Sequence, residues 1–373
     1  MKLAESLNRL GTETAFSVLA EAKKLEAAGK KMIHLGLGQP DFKTPKHIVD
    51  AAKKALDDGH HGYVLSNGIL ECRQAVTRKI KKLYNQDIDP ERIITPTVVD
   101  VGNDRSVSSF DLGGFHTCAV LDILKLKCWG MNTLGQLGDS TTTNKYTPFP
   151  IDVGNGRWVN YISLGTMHTC AILDNTMLKC WGHNWAGQLG DSTTTNSSTP
   201  KTVDLGSENY VSSIALGGLH TCAILNNDTL KCWGKNEFGQ LGDSTASNHW
   251  YAQTIINLSD NSYALSIALG GDHTCAVLDD KSLKCWGLNN VGQLGVFDIT
   301  DRNSPASVDS LGEDKYASSI ALGGYHSCAI LDNESLKCWG HNAYGQLGNS
   351  VAFGFSIIPT AINIQCDEVT SSL

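Results

Sequence analysis

A unit of 52–53 residues is written five times into this 373-residue chain, and that repetition constrains the fold more than any other feature. Five histidines mark it, His116, His168, His220, His273 and His326, spaced by 52, 52, 53 and 53 residues. The unit reads most clearly as Ala215-Leu216-Gly217-Gly218-Leu219-His220-Thr221-Cys222-Ala223-Ile224-Leu225, followed by Leu230-Lys231-Cys232-Trp233-Gly234. A segment so short cannot bury an apolar side alone, so a constant period means that neighbouring units supply each other's core. Within one unit the apolar runs are short and broken by glycine, which predicts strands, two of them joined as a hairpin through Leu225-Asn226-Asn227-Asp228-Thr229. About four strands fit once the loops are set aside, which is the size of a propeller blade.

Each unit closes on Trp-Gly-x-Asn-x-x-Gly-Gln-Leu-Gly, as in Trp181-Gly182-His183-Asn184-Trp185-Ala186-Gly187-Gln188-Leu189-Gly190. Together with the Gly-x-x-His element, this motif resembles the regulator of chromosome condensation repeat family. The resemblance implies a β-propeller, usually of seven blades, so five units leave the ring incomplete. The expected fold over residues 96–373 is therefore mainly β, a propeller-like array of five blades in an incomplete ring. Leu216 and its equivalents Leu112, Leu164, Leu269 and Leu322 depart from the small residue the family often has there. A trailing Pro359-Thr360-Ala361-Ile362-Asn363-Ile364 looks like Pro148-Phe149-Pro150-Ile151-Asp152-Val153, which predicts the start of a sixth unit. The repeated residues read as structural. Gly187 and Gly190 suit positive φ or close backbone approach, the tryptophan supplies blade-to-blade contact, and Asn184 caps a turn. Ligand recognition by the repeated Trp or Gln is the alternative.

Every unit carries two cysteines ten positions apart: Cys118 with Cys128, Cys170 with Cys180, Cys222 with Cys232, Cys275 with Cys285, and Cys328 with Cys338. If the hairpin is centred on the loop between them, the partners face each other on adjacent strands. Directly opposed residues at a non-hydrogen-bonded site have Cα atoms about 4.5 Å apart, close enough for an S–S bond. A cross-strand disulfide in each unit is the favoured reading and adds on the order of 2 kcal/mol. Two alternatives stay open. One is a His-Cys-Cys metal site using the histidine two residues before the first cysteine, which lacks a Cys-x-x-Cys knuckle and a fourth ligand. The other is a pair of buried thiols acting as small apolar groups. No metal is expected. Disulfides imply an oxidising, extracytoplasmic compartment, whereas Met1-Lys2-Leu3-Ala4-Glu5-Ser6 leads into no apolar export run and implies the cytosol.

The chain changes character near Pro96. Residues 1–95 hold 16 Lys and Arg against 12 Asp and Glu, the rest 14 against 26, and only Cys72 precedes the boundary. Two segments of different origin are the simplest reading, residues 1–95 and residues 96–373. The first is expected to be small and mostly α-helical. Val18, Leu19, Ala22 and Leu25 mark a helix over Phe16–Ala28 with Gly29 as its stop, and Met32–Leu37 reads as a strand. Thr44-Pro45 opens a second helix over His47–Asp57, and a third runs from Ile69 to about Tyr84 with Ile69, Val76, Ile80 and Leu83 on its buried face. The run Leu35-Gly36-Leu37-Gly38-Gln39-Pro40-Asp41-Phe42, then Thr44-Pro45, Tyr63, Gly68 and Arg73-Gln74-Ala75, resembles the N-terminal quarter of a class I/II, fold-type I aminotransferase. Leu70 and Cys72 depart from the proline and leucine usual there. The resemblance assigns Gly38 a backbone N–H toward the substrate carboxylate and Tyr63 a contact to the phosphate of a neighbouring subunit's pyridoxal phosphate. Both are read as vestigial, because the cofactor lysine, its acidic partner and the arginine clamp lie downstream in that family, where this sequence turns into repeats. No cofactor is expected unless that transaminase reading holds.

A formal charge of −8 without a basic stripe sets nucleic-acid binding aside, and no run is long and apolar enough to predict a membrane span. The expected function is non-catalytic recognition of a protein or surface ligand through blade loops such as Gly190-Asp191-Ser192-Thr193-Thr194-Thr195-Asn196. Self-association through open strand edges at the ends of the array is expected as well. The repeat resemblance also permits nucleotide exchange on a small GTPase, with no residues identified for it.

Overall fold

The computed structural model describes residues 70–84, 87, 89, 99–102, 105–154, 156–206, 209–254, 258, 262–313, 315–349 and 354–362. The chain divides into two compact units, Met1–Val99 and Asp100–Leu373.

In the first unit the described helix is α1, Leu70–Tyr84. It holds no Gly or Pro, and Lys81 and Lys82 in its last turn face the negative end of the helix dipole. Its bounds match the expected third helix; of the expected buried face, Val76 is 38% exposed, while Arg73 is only 4% exposed and Ile69, Ile80 and Leu83 lie outside the described side chains. Arg73 lies three residues before Val76 on the helix, and its long aliphatic stem lets it be covered where a valine at the margin is not. The helices expected at Phe16–Ala28 and His47–Asp57, the strand Met32–Leu37, Gly38 and Tyr63 lie outside the described residues.

The second unit is built from five four-stranded antiparallel sheets, each formed by strands consecutive in sequence. The first comprises β1 (Val107–Leu112), β2 (His116–Leu121), β3 (Leu126–Gly130) and β4 (Lys145–Ile151). The others occupy residues 159–202, 211–254, 264–307 and 317–362 in the same order. Alternation along the second strand sends His220, Cys222 and Ile224 to one face and Thr221, Ala223 and Leu225 to the other. All six are buried, because an interior sheet is covered on both faces. The predicted hairpin forms: Leu225 N–H donates to the Thr229 carbonyl, Asp228 N–H to that of Leu225, and Asp228 sits at φ 63°. A turn closed by one left-handed residue matches the twist of the strands it joins.

Sheets pack face to face. In the first seam Val120, Leu126, Leu137 and Ile151 of one sheet meet Val159, Ile162, Leu173 and Trp181 of the next, and three further seams repeat this composition. At the inner ends of the first strands, Leu112, Leu164, Leu216, Leu269 and Leu322 line one axial cavity of about 300 Å³. The position unusual for its bulk therefore narrows the axis.

Two expectations are corrected. The Pro359-Thr360-Ala361-Ile362 segment belongs to Phe355–Ile362, the fourth strand of the fifth sheet, as Pro148–Ile151 belongs to β4 of the first. The likeness of the two segments is real, but it marks the closing strand of a unit and not the opening of a sixth. Second, sheets join through their faces and not their strand edges, and at the first sheet the exposure falls on the inner strand: Phe110 and Leu112 are exposed where Ile162 and Leu164 on the second sheet are buried, while Ala119 and Leu121 remain buried.

Candidate functional site

Each seam carries the same polar relay. His168 Nε2 lies 3.0 Å from Thr221 Oγ1 of the next unit, and Thr221 donates back to the Gln188 carbonyl at 2.9 Å. His116 pairs in this way with Thr169, His220 with Thr274 and His273 with Ser327. Since the hydroxyl spends its proton on the glutamine carbonyl, it accepts from the imidazole, which fixes the proton on Nε2 and makes Nδ1 the bare nitrogen. That nitrogen packs against the glycine three residues before it and has no partner in His116, His168, His220 or His273. Burial accordingly pushes His116 down to about 4 and His220 and His273 to about 3, with the ring of the following histidine as a second cause in the last two. His168 is driven well below its ordinary value for the same reasons. These are neutral structural histidines.

The repeated tryptophan and glutamine are seam residues too. Trp181, Trp233 and Trp286 are fully buried and donate Nε1 to the carbonyls of Gln136, Gln188 and Gln240 of the preceding units. Gly190 sits at φ 69°, and a Cβ there would stand 2.6 Å from Trp233 Nε1, so positive φ and close approach coincide at one position. In the interior seams neither Trp nor Gln offers its side chain to a ligand at the surface.

Asn184 does more than cap a turn. Buried completely, it receives Leu189 N–H on Oδ1 and donates Nδ2 to Asp191 Oδ1 and to the carbonyls of Thr193 and Thr195. Asn132, Asn236 and Asn289 repeat the pattern. The loop after each Gly-Gln-Leu-Gly is thus bolted to a buried amide while residues 192–196 stay exposed. On the same side of the array lie two aromatics that the sequence reading did not single out, Trp185 at 63% and Tyr344 at 91% exposure. Trp185 meets His183 edge to face at 5.3 Å, and Tyr344 meets His341 at 5.9 Å. Both occupy the x positions of Asn-x-x-Gly, where the motif demands nothing, and a large aromatic at an undemanding position was the available signal.

The ten predicted cysteines form directly opposed pairs, as in Cys222 against Cys232, with Cα atoms 4.1 Å apart and sulfurs within bonding distance in all five units. The histidine two residues earlier is turned to the next unit's hydroxyl, and among the described residues no three His, Cys, Asp or Glu side chains converge as a metal site would need. No helix among the described residues is long and apolar enough to cross a membrane. The described residues from Val107 onward form antiparallel sheets and do not fit an aminotransferase large domain.

Comparison with known proteins agrees with this geometry. The ultraviolet-B receptor UVR8 of Arabidopsis thaliana is 29% identical over 274 residues, 73% of this chain and 62% of that receptor's length. The structure of yeast RCC1 (Prp20) bound to Kap60 superposes with a TM-score of 0.61 at 23% identity, covering 69% of this chain and 64% of that one. Aspartate aminotransferase of Bacillus subtilis is 41% identical over 97 residues, 26% of this chain and 25% of that enzyme. A model of the RCC1-like domain matches residues 60–371, most of the sequence, and the chain belongs to the RCC1-like domain family.

Proposed function

We propose that the repeat unit is a non-catalytic recognition scaffold for a protein or surface ligand, reading its partner with the loops after Gly-Gln-Leu-Gly and the aromatics beside them. The observation that carries this is the pairing of a fixed backbone with exposed side chains: buried Asn184 holds the loop at Leu189, Asp191, Thr193 and Thr195, so little ordering cost remains on binding. Exposed Trp185 and Tyr344 are the kind of anchors that dominate interfaces. A solved neighbour caught with a bound protein, Kap60, supports the same use of the fold. We also infer that the five cysteine pairs are disulfides and that the two segments, 1–95 and 96–373, are separate domains of different origin, the first without transaminase activity.

The test is a comparison of partner capture by the full chain and by Trp185→Ala and Tyr344→Ala variants. Retained melting with capture weakened about tenfold or more supports the reading. Capture unchanged by these substitutions and by Thr194→Ala and Thr195→Ala contradicts it. An absorbance band near about 420 nm after adding pyridoxal phosphate, the mark of a lysine aldimine, would overturn the non-catalytic assignment. Non-reducing peptide mapping checks the disulfides, and five alkylatable pairs would refute them.

A further inference from the structure

The hairpin turn between the second and third strands is built alike in every unit. Its first residue donates N–H to the carbonyl four positions on, as Leu225 does to Thr229 and Leu331 to Ser335, and its fourth takes a positive φ, 63° at Asp228 and 65° at Glu334. The third residue is Ile123 in the first unit and Asn175, Asn227, Asp280 and Asn333 in the others. In those four a side-chain oxygen accepts the N–H two residues on, from Met177, Thr229, Ser282 and Ser335. A carboxylate closes this turn as well as a carboxamide does. In two units the asparagine is joined by a hydroxyl two positions on, Asn227-Asp228-Thr229 and Asn333-Glu334-Ser335, which completes the Asn-x-Ser/Thr triplet that asparagine glycosylation requires.

The turn also presents the right atom. Ser335 Oγ–H donates to Asn333 Oδ1 at 2.7 Å beside the Ser335 N–H, so the oxygen faces the turn and Nδ2, across the planar carboxamide, faces away from it. Asn227, Asp228, Asn333 and Glu334 are all exposed. The tip stands at the Leu230 end of its strand pair, opposite the Gly234 end from which the Gly-Gln-Leu-Gly loop departs, so a bulky group there stays clear of the recognition loops. The triplet alone is less selective. Asn196-Ser197-Ser198 also spells it, but Ser197 is buried and a Cβ on Gly135 of the preceding unit would stand 2.6 Å from Ser198 Cα, so no free tip is offered. In Asn257-Leu258-Ser259 the asparagine and the serine lie outside the described residues.

We propose that Asn227 and Asn333 are modification sites, each carrying an oligosaccharide linked through Nδ2 on the exposed tip of its hairpin. The donor class is an oligosaccharide held on a lipid pyrophosphate, used by an oligosaccharyltransferase. Transfer breaks the bond between the first sugar's anomeric carbon and a phosphate oxygen and joins that carbon to Nδ2. It releases the lipid pyrophosphate and one amide proton, and nothing is oxidised or reduced. The proposal rests on reading the cysteine pairs as disulfides, because both modifications belong to an oxidising, extracytoplasmic compartment. Bulky, hydrated groups at these tips clothe the side of the array opposite the recognition loops.

The test is non-reducing peptide mapping by mass spectrometry on the full chain isolated from the cells that make it. The expected result is a saccharide mass on the peptides holding Asn227 and Asn333, and none on the turns of Asn175 and Asp280. Three variants made in the same cells read the cause. Asn333→Asp keeps the turn, as Asp280 does in the fourth unit, and Ser335→Ala removes the hydroxyl. Each should abolish the added mass at position 333 and leave that on Asn227. Met177→Thr, at a position 40% exposed, supplies the hydroxyl missing from the second unit and should add a saccharide to Asn175. Bare Asn227 and Asn333 overturn the proposal, and the cysteines in the same digest separate a failed site from a failed compartment, since linked pairs leave the disulfide reading standing. A saccharide that persists on Asn333 in Ser335→Ala, or a bare Asn175 in Met177→Thr, overturns the dependence on the turn's hydroxyl. Partner capture through the loop aromatics enters none of these readouts, so that reading fails separately.

Discussion

Trp233 and Trp129 stand at the same place in identical Leu-Lys-Cys-Trp-Gly strands, yet the first is fully buried and the second only partly buried. The strands around them are alike in length and register, so local sequence decides the sheet. What differs is a neighbour. Trp233 has the Gln188 carbonyl and the Leu189, Val203 and Leu205 side chains of the preceding unit in its seam, and among the described residues Trp129 Nε1 meets no such carbonyl. Stability in such an array belongs to seams more than to units. The comparison between interior seams and the first and fifth units therefore predicts where a change is felt.

Acid gives the largest expected effect. A histidine held neutral in the fold has a pKa below its unfolded value of about 6.5, so the unfolded chain takes up more protons as pH falls. Stability from these groups is complete above about pH 6.5 and is lost on the way down toward the folded values of about 4 for His116 and about 3 for His220 and His273. Each costs about 1.4 kcal/mol per pH unit in that window. Urea midpoints measured at about pH 7.5, 6 and 5 should fall steeply, and His220→Gln should flatten the fall more than His326→Gln, whose ring is only half-buried. Equal slopes in the two variants would break the distinction between seam and end.

Next comes the indole itself. Trp233→Ala opens a cavity in a closed seam and should cost about 3–5 kcal/mol, while Trp129→Ala should cost about 1 kcal/mol. Denaturant unfolding of both variants measures the ratio. Similar losses would mean that the first unit is stabilised from its far side as fully as an interior one.

The disulfides are predicted to ignore the comparison. Each closes a chain segment of the same ten-residue separation. A cross-link acting through the unfolded chain contributes the same wherever it sits, on the order of 2 kcal/mol. Replacing Cys222 and Cys232 together by alanine should match replacing Cys328 and Cys338, as read from chemical unfolding. A much larger loss at the interior pair would assign the contribution to packing of buried sulfur in the seam.

Much of this was legible in the residues. The fixed ten-residue spacing and the hairpin loop between Leu225 and Leu230 placed Cys222 opposite Cys232 without a structure, because side-chain direction in strands has period two. The tryptophan's role followed from its size and its repetition. The phase of the repeat was not legible: likeness between Pro148–Ile151 and Pro359–Ile362 says that both hold one position in the unit, and only the ladder shows that the position is last. The relay was hidden for a different reason. His168 and Thr221 are 53 residues apart, so their bond depends on which face each strand turns to its neighbour, and the only trace in the sequence is a hydroxyl residue following each histidine. In α1 the hydrophobic pattern placed Val76 inside, and burial instead fell to Arg73, a residue whose stem a binary pattern does not count.

That hydroxyl gives the smallest and sharpest test. Thr221→Val keeps the shape of the side chain and removes a group that accepts from His168 Nε2 and donates to the Gln188 carbonyl. The carbonyl keeps its bond from Trp233 Nε1, so the loss falls mainly on the imidazole N–H, buried without a partner at a cost of about 1–2 kcal/mol. The same change at Thr117 removes no bond, so Thr117→Val should leave the stability of the isolated chain within about 0.5 kcal/mol of the parent. Guanidinium unfolding at low protein concentration separates the two cases. Equal effects at both positions would mean that the relay contributes nothing beyond the apolar contact around it.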